Sequence, residues 1–368
     1  MAVTESAVRA ALSQVIDPEI RRPITEIGMV HSIKVTGETV DVEILLTVAG
    51  CPLSNTIEQD AREKVLELDG VEHVNVTMGT MDNEQRAEAM AKLRGGQPAA
   101  EENPIPFAQA DSKTKVLLIS SGKGGVGKSS VTVNLALALA GLGSKVGILD
   151  ADIYGHSVQQ MLGLYDITPT AVDDMIMPVP YMGMSVMSIG MFKESRDQVI
   201  AWRGPMLDRA LQQFLADVYW GDIEFLLVDL PPGTGDVALS LGHKLPNAEV
   251  IVVTTPQQAA AEVAERAGIM ASMLDQKLLG VVENMSYLSY KCPHCGDEER
   301  VDVFGSGGGE EVAGLLSERV HYEVPLLAEV PIDPQVSVSG DRGIPFVALN
   351  PESAAAEVFK GLAERLRG

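Results

Sequence analysis

The stretch Gly122-Lys-Gly-Gly-Val-Gly-Lys-Ser129 decides the fold of the larger part of the chain. It satisfies the pattern G-x-x-x-x-G-K-[ST] of a phosphate-binding loop, in which backbone N–H groups and a helix N-terminus face an anion. The apolar run 116–119 before it predicts a buried strand, and the Ala/Leu-rich run 131–142 after it predicts a helix. Strand, loop and helix in this order indicate a site for a nucleoside triphosphate.

The residues of this loop have separate expected roles. We expect Lys128 to neutralise the β- and γ-phosphates and the Ser129 hydroxyl to hold Mg²⁺. The loop residues predicted to bind nucleotide are Gly122, Lys123, Gly124, Gly125, Val126, Gly127, Lys128, Ser129 and Ser130. Lys123 lies too early in the loop to duplicate Lys128 from the same side. It resembles the signature lysine of ParA/MinD-type ATPases, and this resemblance implies a catalytic role on the phosphates of a partner subunit.

Length, charge and cysteine count narrow the class of protein. The 368 residues suffice for two domains, and 28 basic against 51 acidic residues give a formal net charge of −23. This charge disfavours non-specific binding to DNA or to anionic lipid. No apolar run reaches membrane-spanning length, the N-terminus does not resemble a signal peptide, and three cysteines do not suit a secreted disulfide framework. We therefore expect a cytoplasmic protein that binds neither nucleic acid nor a membrane.

A segment rich in Gly, Pro and charge, residues 95–112, predicts a linker between two domains. Residues 1–94 are predicted to form a small α+β domain. Its helices are expected at 5–15 and 53–68, and its strands at 40–48 and 71–78.

Residues 113–368 are predicted to form an α/β domain with a doubly wound, mostly parallel sheet and helices on both faces. The runs that predict its further strands are nearly continuous in apolar residues, as buried parallel strands are; they cover 145–150, 225–229, 249–255 and 278–282. The amphipathic stretch 353–366 is interpreted as a helix packed on this core and not as a membrane anchor.

Polar side chains follow three of these strands. Asp150 is interpreted as an N-cap or an outer Mg²⁺ ligand, and Asp152 resembles the switch I carboxylate that positions water in ParA/MinD-type enzymes. Asp229, which would order a metal-bound water, and Gly233, whose N–H would meet the γ-phosphate, resemble Walker B joined to switch II. Asn284 offers an amide that can pair with an adenine edge.

The stretch Cys292-Pro-His-Cys295 predicts a second functional site, built on two thiols. Two thiolates separated by two residues can grip one soft metal ion or one edge of an iron–sulfur cluster. Half a cluster site completed by a second subunit and a half-zinc site that joins a dimer both remain open. A thioredoxin-like pair is disfavoured, because the motif follows the fifth strand of the predicted sheet. Cys51, in the other predicted domain, is either a partly buried small side chain or a thiolate that touches a transferred cluster.

The order of the motifs resembles that of the Mrp/ApbC-type P-loop ATPases that carry iron–sulfur clusters. After the P-loop the motifs are Asp150-Ala-Asp-Ile-Tyr-Gly, Asp229-Leu-Pro-Pro-Gly-Thr-Gly-Asp, Val282-Glu-Asn-Met-Ser-Tyr, Cys292-Pro-His-Cys-Gly and Phe304-Gly-Ser-Gly-Gly-Gly. The resemblance spans residues 115 to about 350. In the first domain, Asp17-Pro-Glu19 and the stretch 47–53 match the small domain often fused to these proteins.

This resemblance implies a slow Mg²⁺-dependent ATPase that acts as a homodimer. It would hold a [4Fe–4S] cluster between two pairs of Cys292 and Cys295, receive it from cluster donors and deliver it to apo-proteins. A ParA/MinD-like positioning ATPase and a zinc-stapled dimeric regulatory ATPase are the alternatives. The sequence departs from the family pattern at Ser130, where threonine is usual, and at His156, where proline is usual.

Overall fold

The computed structural model describes residues 3–18, 20, 22–46, 54–82, 85, 89, 104–109, 111–153, 155–172, 175–192, 204–292 and 294–368. The chain divides into two compact units, one of residues 1–103 with 170–177 and one of residues 104–169 with 178–368. Most of the predicted linker lies outside the described residues, so the limits 1–94, 95–112 and 113–368 stay a prediction. Within the described ranges, no helix combines the length and the apolar character that crossing a membrane requires.

The smaller unit contains a three-stranded sheet with helices. Its elements are α1 (Glu5–Leu12), α2 (Ile24–Ile27), β1 (Val30–Thr36), β2 (Thr39–Leu46), α3 (Ser54–Leu66) and β3 (His73–Thr80). β1 and β2 are antiparallel, whereas β2 and β3 are parallel and are joined by α3, since parallel neighbours need a crossover. Val40, Val42 and Ile44 are buried at alternate positions of β2, as expected when successive side chains point to opposite faces. The predicted small α+β domain is confirmed, and β1 is an addition to it.

The chain then enters the larger unit. Its first elements are β4 (Lys115–Ser121), α4 (Lys128–Gly141), β5 (Val146–Asp150) and α5 (Ser157–Met161). Two short strands that pair with each other, β6 (Ala171–Val172) and β7 (Met175–Ile176), belong to the smaller unit. The following elements are β8 (Val179–Tyr181), β9 (Met184–Ser188), α6 (Gly204–Ala216), β10 (Phe225–Asp229), α7 (Asp236–Lys244), β11 (Glu249–Thr254) and α8 (Gln258–Met273). The last part contains β12 (Lys277–Lys291), β13 (Glu298–Val301), α9 (Gly308–Val320), β14 (Leu326–Ile332), α10 (Pro334–Asp341), α11 (Phe346–Leu349) and α12 (Ala354–Arg367).

Among the described residues these strands form one nine-stranded sheet in the order β13-β12-β11-β4-β10-β5-β9-β8, with β14 also paired to β12. All pairs are parallel except β8 with β9 and β12 with β13. Every residue of β5 and of β10 is buried, and since neighbouring side chains point to opposite faces, both faces of the sheet are covered. The predicted doubly wound, mostly parallel sheet is confirmed.

The P-loop follows β4, at the point where the order of the strands in the sheet reverses. From β4 the chain moves to β5 on one side, and β11 later adds to β4 on the other side. Ligands of open α/β sheets bind at such a switch point, beyond the carboxyl ends of the strands. The C-terminal helix α12 buries Phe359, Leu362 and Leu366 in the same core as α4, as the amphipathic pattern predicts.

Several predicted boundaries are wrong. α1 ends at Leu12 and not at residue 15, and α4 begins at Lys128, three residues before the predicted start. The largest error concerns β12, which continues to Lys291, nine residues past the predicted end at Val282. Asn284 therefore lies within this strand and not after it. Polar residues interrupt the apolar pattern there, and pairing with β13 and β14 maintains the strand.

Candidate functional site

The P-loop forms one wall of an open cleft of about 180 Å³. The cleft is lined by Ser121, Lys123, Gly124, Gly125, Val126, Gly127, Lys128, Ser129, Ser130, Asp152, Ser157, Met161 and Pro232. Gly127 precedes α4 with φ of 81°, in the left-handed region that favours glycine, so that the helix begins at Lys128 with its N-terminus at the cleft. Eight of the nine predicted loop residues line the cleft; Gly122 starts the loop but does not line it.

Three side chains of α4 converge on Asp229 at the end of β10. Lys128 Nζ lies 2.8 Å from Asp229 Oδ1, and the hydroxyls of Ser129 and Thr132 donate to Asp229 over 2.6 and 2.8 Å. Asp229 is fully buried, and Lys128 is 6% exposed. A buried carboxylate is tolerated only when it is paired and hydrogen-bonded, and this one is both. The structure thus brings together the predicted phosphate lysine, Mg²⁺ serine and Walker B carboxylate.

Asp150 lies fully buried at the end of β5, next to β10. Its carboxylate accepts hydrogen bonds from the Ser188 hydroxyl over 3.0 Å and from the Asp152 N–H over 3.1 Å. Burial, and then the negative charge of Asp229, raise the pKa of Asp150 from 3.8 to about 8, although Lys128 opposes this. Its bond to the Asp152 N–H makes Asp150 a residue that fixes the turn after β5.

We expect the variant Asp150→Asn to stabilise the protein at high pH. Because the folded pKa of Asp150 is about 8 and the ordinary value is 3.8, its contribution to stability is present below pH 3.8 and is lost as the pH rises through 8. Asparagine can keep the bond from the Asp152 N–H and has no charge to bury.

Thermal unfolding without Mg²⁺ or nucleotide tests this expectation. The difference in Tm between Asp150→Asn and the unchanged protein should grow between pH 5 and pH 9, whereas exposed Asp341→Asn should show no such trend. A difference independent of pH would contradict the shifted pKa.

The segment after β5 contains the predicted switch I carboxylate. Asp152 is 7% exposed and lines the cleft, and its Oδ1 accepts the Gly155 N–H over 3.0 Å. His156 precedes α5 with φ of 44°. Proline holds φ near −65° and could not adopt this conformation. A proline at position 156 would therefore require another backbone conformation before α5.

Two predicted phosphate contacts have partners within this chain. Lys123 Nζ lies 3.5 Å from Gln257 Oε1, just before α8. The N–H of Gly233 donates to the carbonyl oxygen of Ser121 over 2.8 Å. A contact between this N–H and a γ-phosphate requires that hydrogen bond to open, which is a movement of a kind that switch segments make.

Asn284 contacts the P-loop directly. Its Nδ2 donates to the carbonyl oxygen of Val126 over 2.9 Å, and Asn284 is 9% exposed. The same nitrogen lies where a side chain at Gly127 would be, so that a Cβ there would collide with it. Asn284 and Gly127 therefore fit together closely, one on β12 and one before α4.

This fit predicts a specific effect of Gly127→Ala. Gly127 has φ of 81° and Gly143 has φ of 87°, but a Cβ at Gly143 meets no atom within 4 Å. Both alanine variants should lose about 1–2 kcal/mol of stability through backbone strain. Only Gly127→Ala should also weaken ATP binding, because it displaces Asn284 from the loop. Calorimetric titration of both variants measures this difference, and equal ATP affinities would contradict it.

The two cysteines lie at the tip of the β12–β13 hairpin. Cys292 directly follows β12; its N–H donates to the carbonyl oxygen of Asp297 over 2.8 Å, and its carbonyl oxygen accepts the Gly296 N–H over 2.9 Å. Cys292 is partly exposed and Cys295 exposed. The backbone N–H groups of Cys295 and His294 lower the pKa of the Cys292 thiol, which favours the thiolate that binds metal. Cys51 lies outside the described residues.

The sequence interpretation missed several residues of the site. Thr132, on α4, bonds both Asp229 and the carbonyl oxygen of Lys128, and its position four residues after Lys128 places it on the same helix face. Ser188 and Gln257 come from β9 and from the start of α8, and no local pattern marks them. Their roles follow from strand order.

Two family models match this chain. Residues 112–367 match the family described as NUBPL iron-transfer P-loop NTPase, within the ParA group. Residues 5–78 match the family described as iron–sulfur cluster assembly protein. The chain belongs to the NUBPL-type family of iron–sulfur cluster carrier P-loop NTPases.

The matches to curated relatives cover almost the whole length of this chain. A protein of Mycobacterium bovis named iron–sulfur cluster carrier protein is 51% identical over 368 residues, which are 99% of this chain and 94% of the relative. A protein of Bacillus subtilis with the same name is 38% identical over 366 residues, covering 99% of this chain and 97% of the relative. The resemblance to the Mrp/ApbC-type carriers is confirmed.

Solved structures share the fold of the larger unit. A nucleotide-binding protein of Archaeoglobus fulgidus, solved in complex with ADP, is 37% identical; the match covers 62% of this chain and 86% of that protein, with a TM-score of 0.51. The cell division ATPase MinD of Pyrococcus furiosus is 25% identical, and the match covers 69% of this chain and 98% of that protein, with a TM-score of 0.51. The prediction of a ParA/MinD-like P-loop fold is confirmed.

Proposed function

We propose that this chain is a Mg²⁺-dependent ATPase that carries a [4Fe–4S] cluster as a homodimer and delivers it to apo-proteins. The observation that carries the proposal is that one unit combines a P-loop cleft with a partly exposed pair of thiols at a hairpin tip. The iron–sulfur carrier family of the chain supports it.

The nucleotide is proposed to bind with its phosphates at the N-terminus of α4. The ammonium group of Lys128 would leave Asp229 and bind the β- and γ-phosphates. Lys128 lies at the cleft, and its flexible side chain can reach either Asp229 or the phosphates. The Ser129 hydroxyl would bind Mg²⁺, and Asp229 would hold a water of that ion. These residues suit Mg²⁺, which prefers oxygen ligands and keeps several waters. The Asn284 amide would recognise the adenine edge.

We propose that residues at or near the same cleft hydrolyse the bound ATP. Asp152 would position the attacking water, the Gly233 N–H would contact the γ-phosphate, and Lys123 would act on the phosphates of the partner subunit. Lys123 is held at 3.5 Å from Gln257 by an exposed hydrogen bond, which costs little to break when a partner subunit arrives.

The role of Lys123 can be tested with mixed dimers. Lys123→Ala should keep its ATP affinity and hydrolyse ATP slowly, and Asp152→Asn should do the same. Mixing the two variants should restore part of the hydrolysis, because one site of each mixed dimer then has its own Asp152 and the partner's Lys123. No recovery on mixing would show that Lys123 acts within its own subunit.

The cluster would be a cargo held between two subunits. A [4Fe–4S] cluster takes four thiolates, and the whole chain has three cysteines, of which Cys292 and Cys295 share one turn. A two-fold axis at this turn would supply the same two sulfurs from each subunit. We therefore propose one cluster per dimer, with about two irons per chain.

Anaerobic reconstitution with iron and sulfide tests the proposed function. The purified chain should acquire the visible thiolate–iron absorbance, about two irons and two sulfides per chain, and the mass of a dimer. Incubation with an apo-enzyme that requires a [4Fe–4S] cluster should restore its activity, and ATP should change the rate. Zinc at the cysteines with no iron uptake would instead support the zinc-stapled ATPase, and no metal would overturn both.

A further inference from the structure

The hairpin that carries the cysteines is an extension of the sheet. β13 has four residues and, among the residues that the structure describes, pairs with β12 alone, from Leu288–Val301 to Lys291–Glu298. In the described part of the chain, β12 pairs with β11 up to Glu283 and with β14 up to Leu288. The direction in which the cysteine turn points therefore depends on what holds β13.

Arg300, in the middle of β13, makes that connection. Its guanidinium donates to Glu329 Oε1 on β14 over 2.9 Å and lies 4.1 Å from the ring centroid of Tyr287 on β12. Its Nε also donates to Asp302 over 3.2 Å. One side chain thus joins β13 to β14 across β12. A planar guanidinium can stack and form two directed bonds at once, which the compact ammonium of lysine cannot do.

Glu329 is in turn connected to the buried interior. Ser286 Oγ lies 3.0 Å from Glu329 Oε1 and 2.5 Å from Glu283 Oε1, and Glu283 accepts the N–H of Gly309 at the start of α9. Glu283 is 1% exposed and Ser286 is fully buried. Arg300 therefore bonds to a carboxylate whose position is fixed by groups of the core.

The exposure of the ion pair argues against a role in global stability. The side chains of Arg300 and Glu329 are 46% and 40% exposed, and ion pairs this open contribute little to unfolding free energy. Their effect is local, on the angle between the hairpin and the sheet. We propose that Arg300, through Glu329 and Tyr287, is a positioning residue that aims the Cys292–Cys295 turn for a shared cluster. This inference rests on the proposed function.

The test compares Arg300→Gln, Arg300→Lys and Glu329→Gln after anaerobic reconstitution. Iron loss to a chelator should be about tenfold faster in Arg300→Gln, the range seen when groups that orient metal ligands are removed. Glu329→Gln should behave similarly, and Arg300→Lys should be intermediate, because it keeps the charge and loses the planar fork. Arg319→Gln, an exposed basic residue on α9, is the matched control and should lose iron at the unchanged rate.

A second measurement uses the metal-free protein. Hydrogen exchange of the segment 288–301, which includes the Cys292 N–H bonded to Asp297, should be severalfold faster in Arg300→Gln, while α4 and α12 exchange as before. Unchanged exchange or iron loss at the normal rate would overturn the role of Arg300 and leave the carrier function standing. Failure of the unchanged protein to take up iron would overturn the carrier function and this inference together, whatever the exchange data.

Discussion

Lys128→Ala is expected to abolish ATP binding. Lys128 is 6% exposed and lies 2.8 Å from the fully buried Asp229, so it is the cation through which the P-loop is linked to the end of β10. Without it, the fully buried carboxylate of Asp229 would lose its cation, and the β- and γ-phosphates would lose the lysine expected to neutralise them. Loss of such a charge contact is worth about 3 kcal/mol or more, roughly a hundredfold in affinity.

The same substitution should also destabilise the protein. Removing one partner of a buried ion pair costs about 3–5 kcal/mol, because the other charge remains buried. The double variant Lys128→Ala with Asp229→Asn removes both charges and should recover much of this stability without recovering ATP binding. Exposed Lys145→Ala is the control for loss of a lysine. Calorimetric titration and thermal unfolding give the two quantities; unchanged ATP affinity in Lys128→Ala would refute the P-loop assignment.

Cys292→Ser is expected to remove the cluster and leave the nucleotide site intact. The Cys292 thiol has a lowered pKa because backbone N–H groups of Cys295 and His294 stabilise its thiolate. A serine hydroxyl is a hard ligand that stays protonated, and it cannot replace the thiolate on iron. Iron should fall from about two per chain to nearly zero, and the brown colour should be lost.

Three measurements distinguish this outcome from general damage. ATP affinity should be unchanged, since the turn after β12 and the loop before α4 are different segments. Cys295→Ser should behave like Cys292→Ser, and Cys51→Ser should retain the iron. An intact cluster in Cys292→Ser, or four irons bound by a monomer, would show that the ligands come from elsewhere, with Cys51 the first residue to test.

The amino-acid sequence determines the local parts of this protein. The P-loop, the strand before it and the helix after it follow from contiguous residues, and the predicted strand Phe225–Asp229 agrees with β10 at both ends. The apolar stripe of α12 likewise predicts which residues face the core. These features depend on hydrogen bonds and side-chain periodicity within one segment, so neighbouring residues carry the whole signal.

Tertiary structure decides which distant groups meet. Ser129 and Thr132 bond Asp229 because β4 and β10 are neighbours in the sheet, although about a hundred residues separate them in the chain. β12 continues beyond Val282 through polar residues because β13 and β14 supply its hydrogen bonds. Arg300 reaches Glu329 for the same reason. Strand order and pairing across the sheet set these distances, and they arise only when the whole sheet has formed.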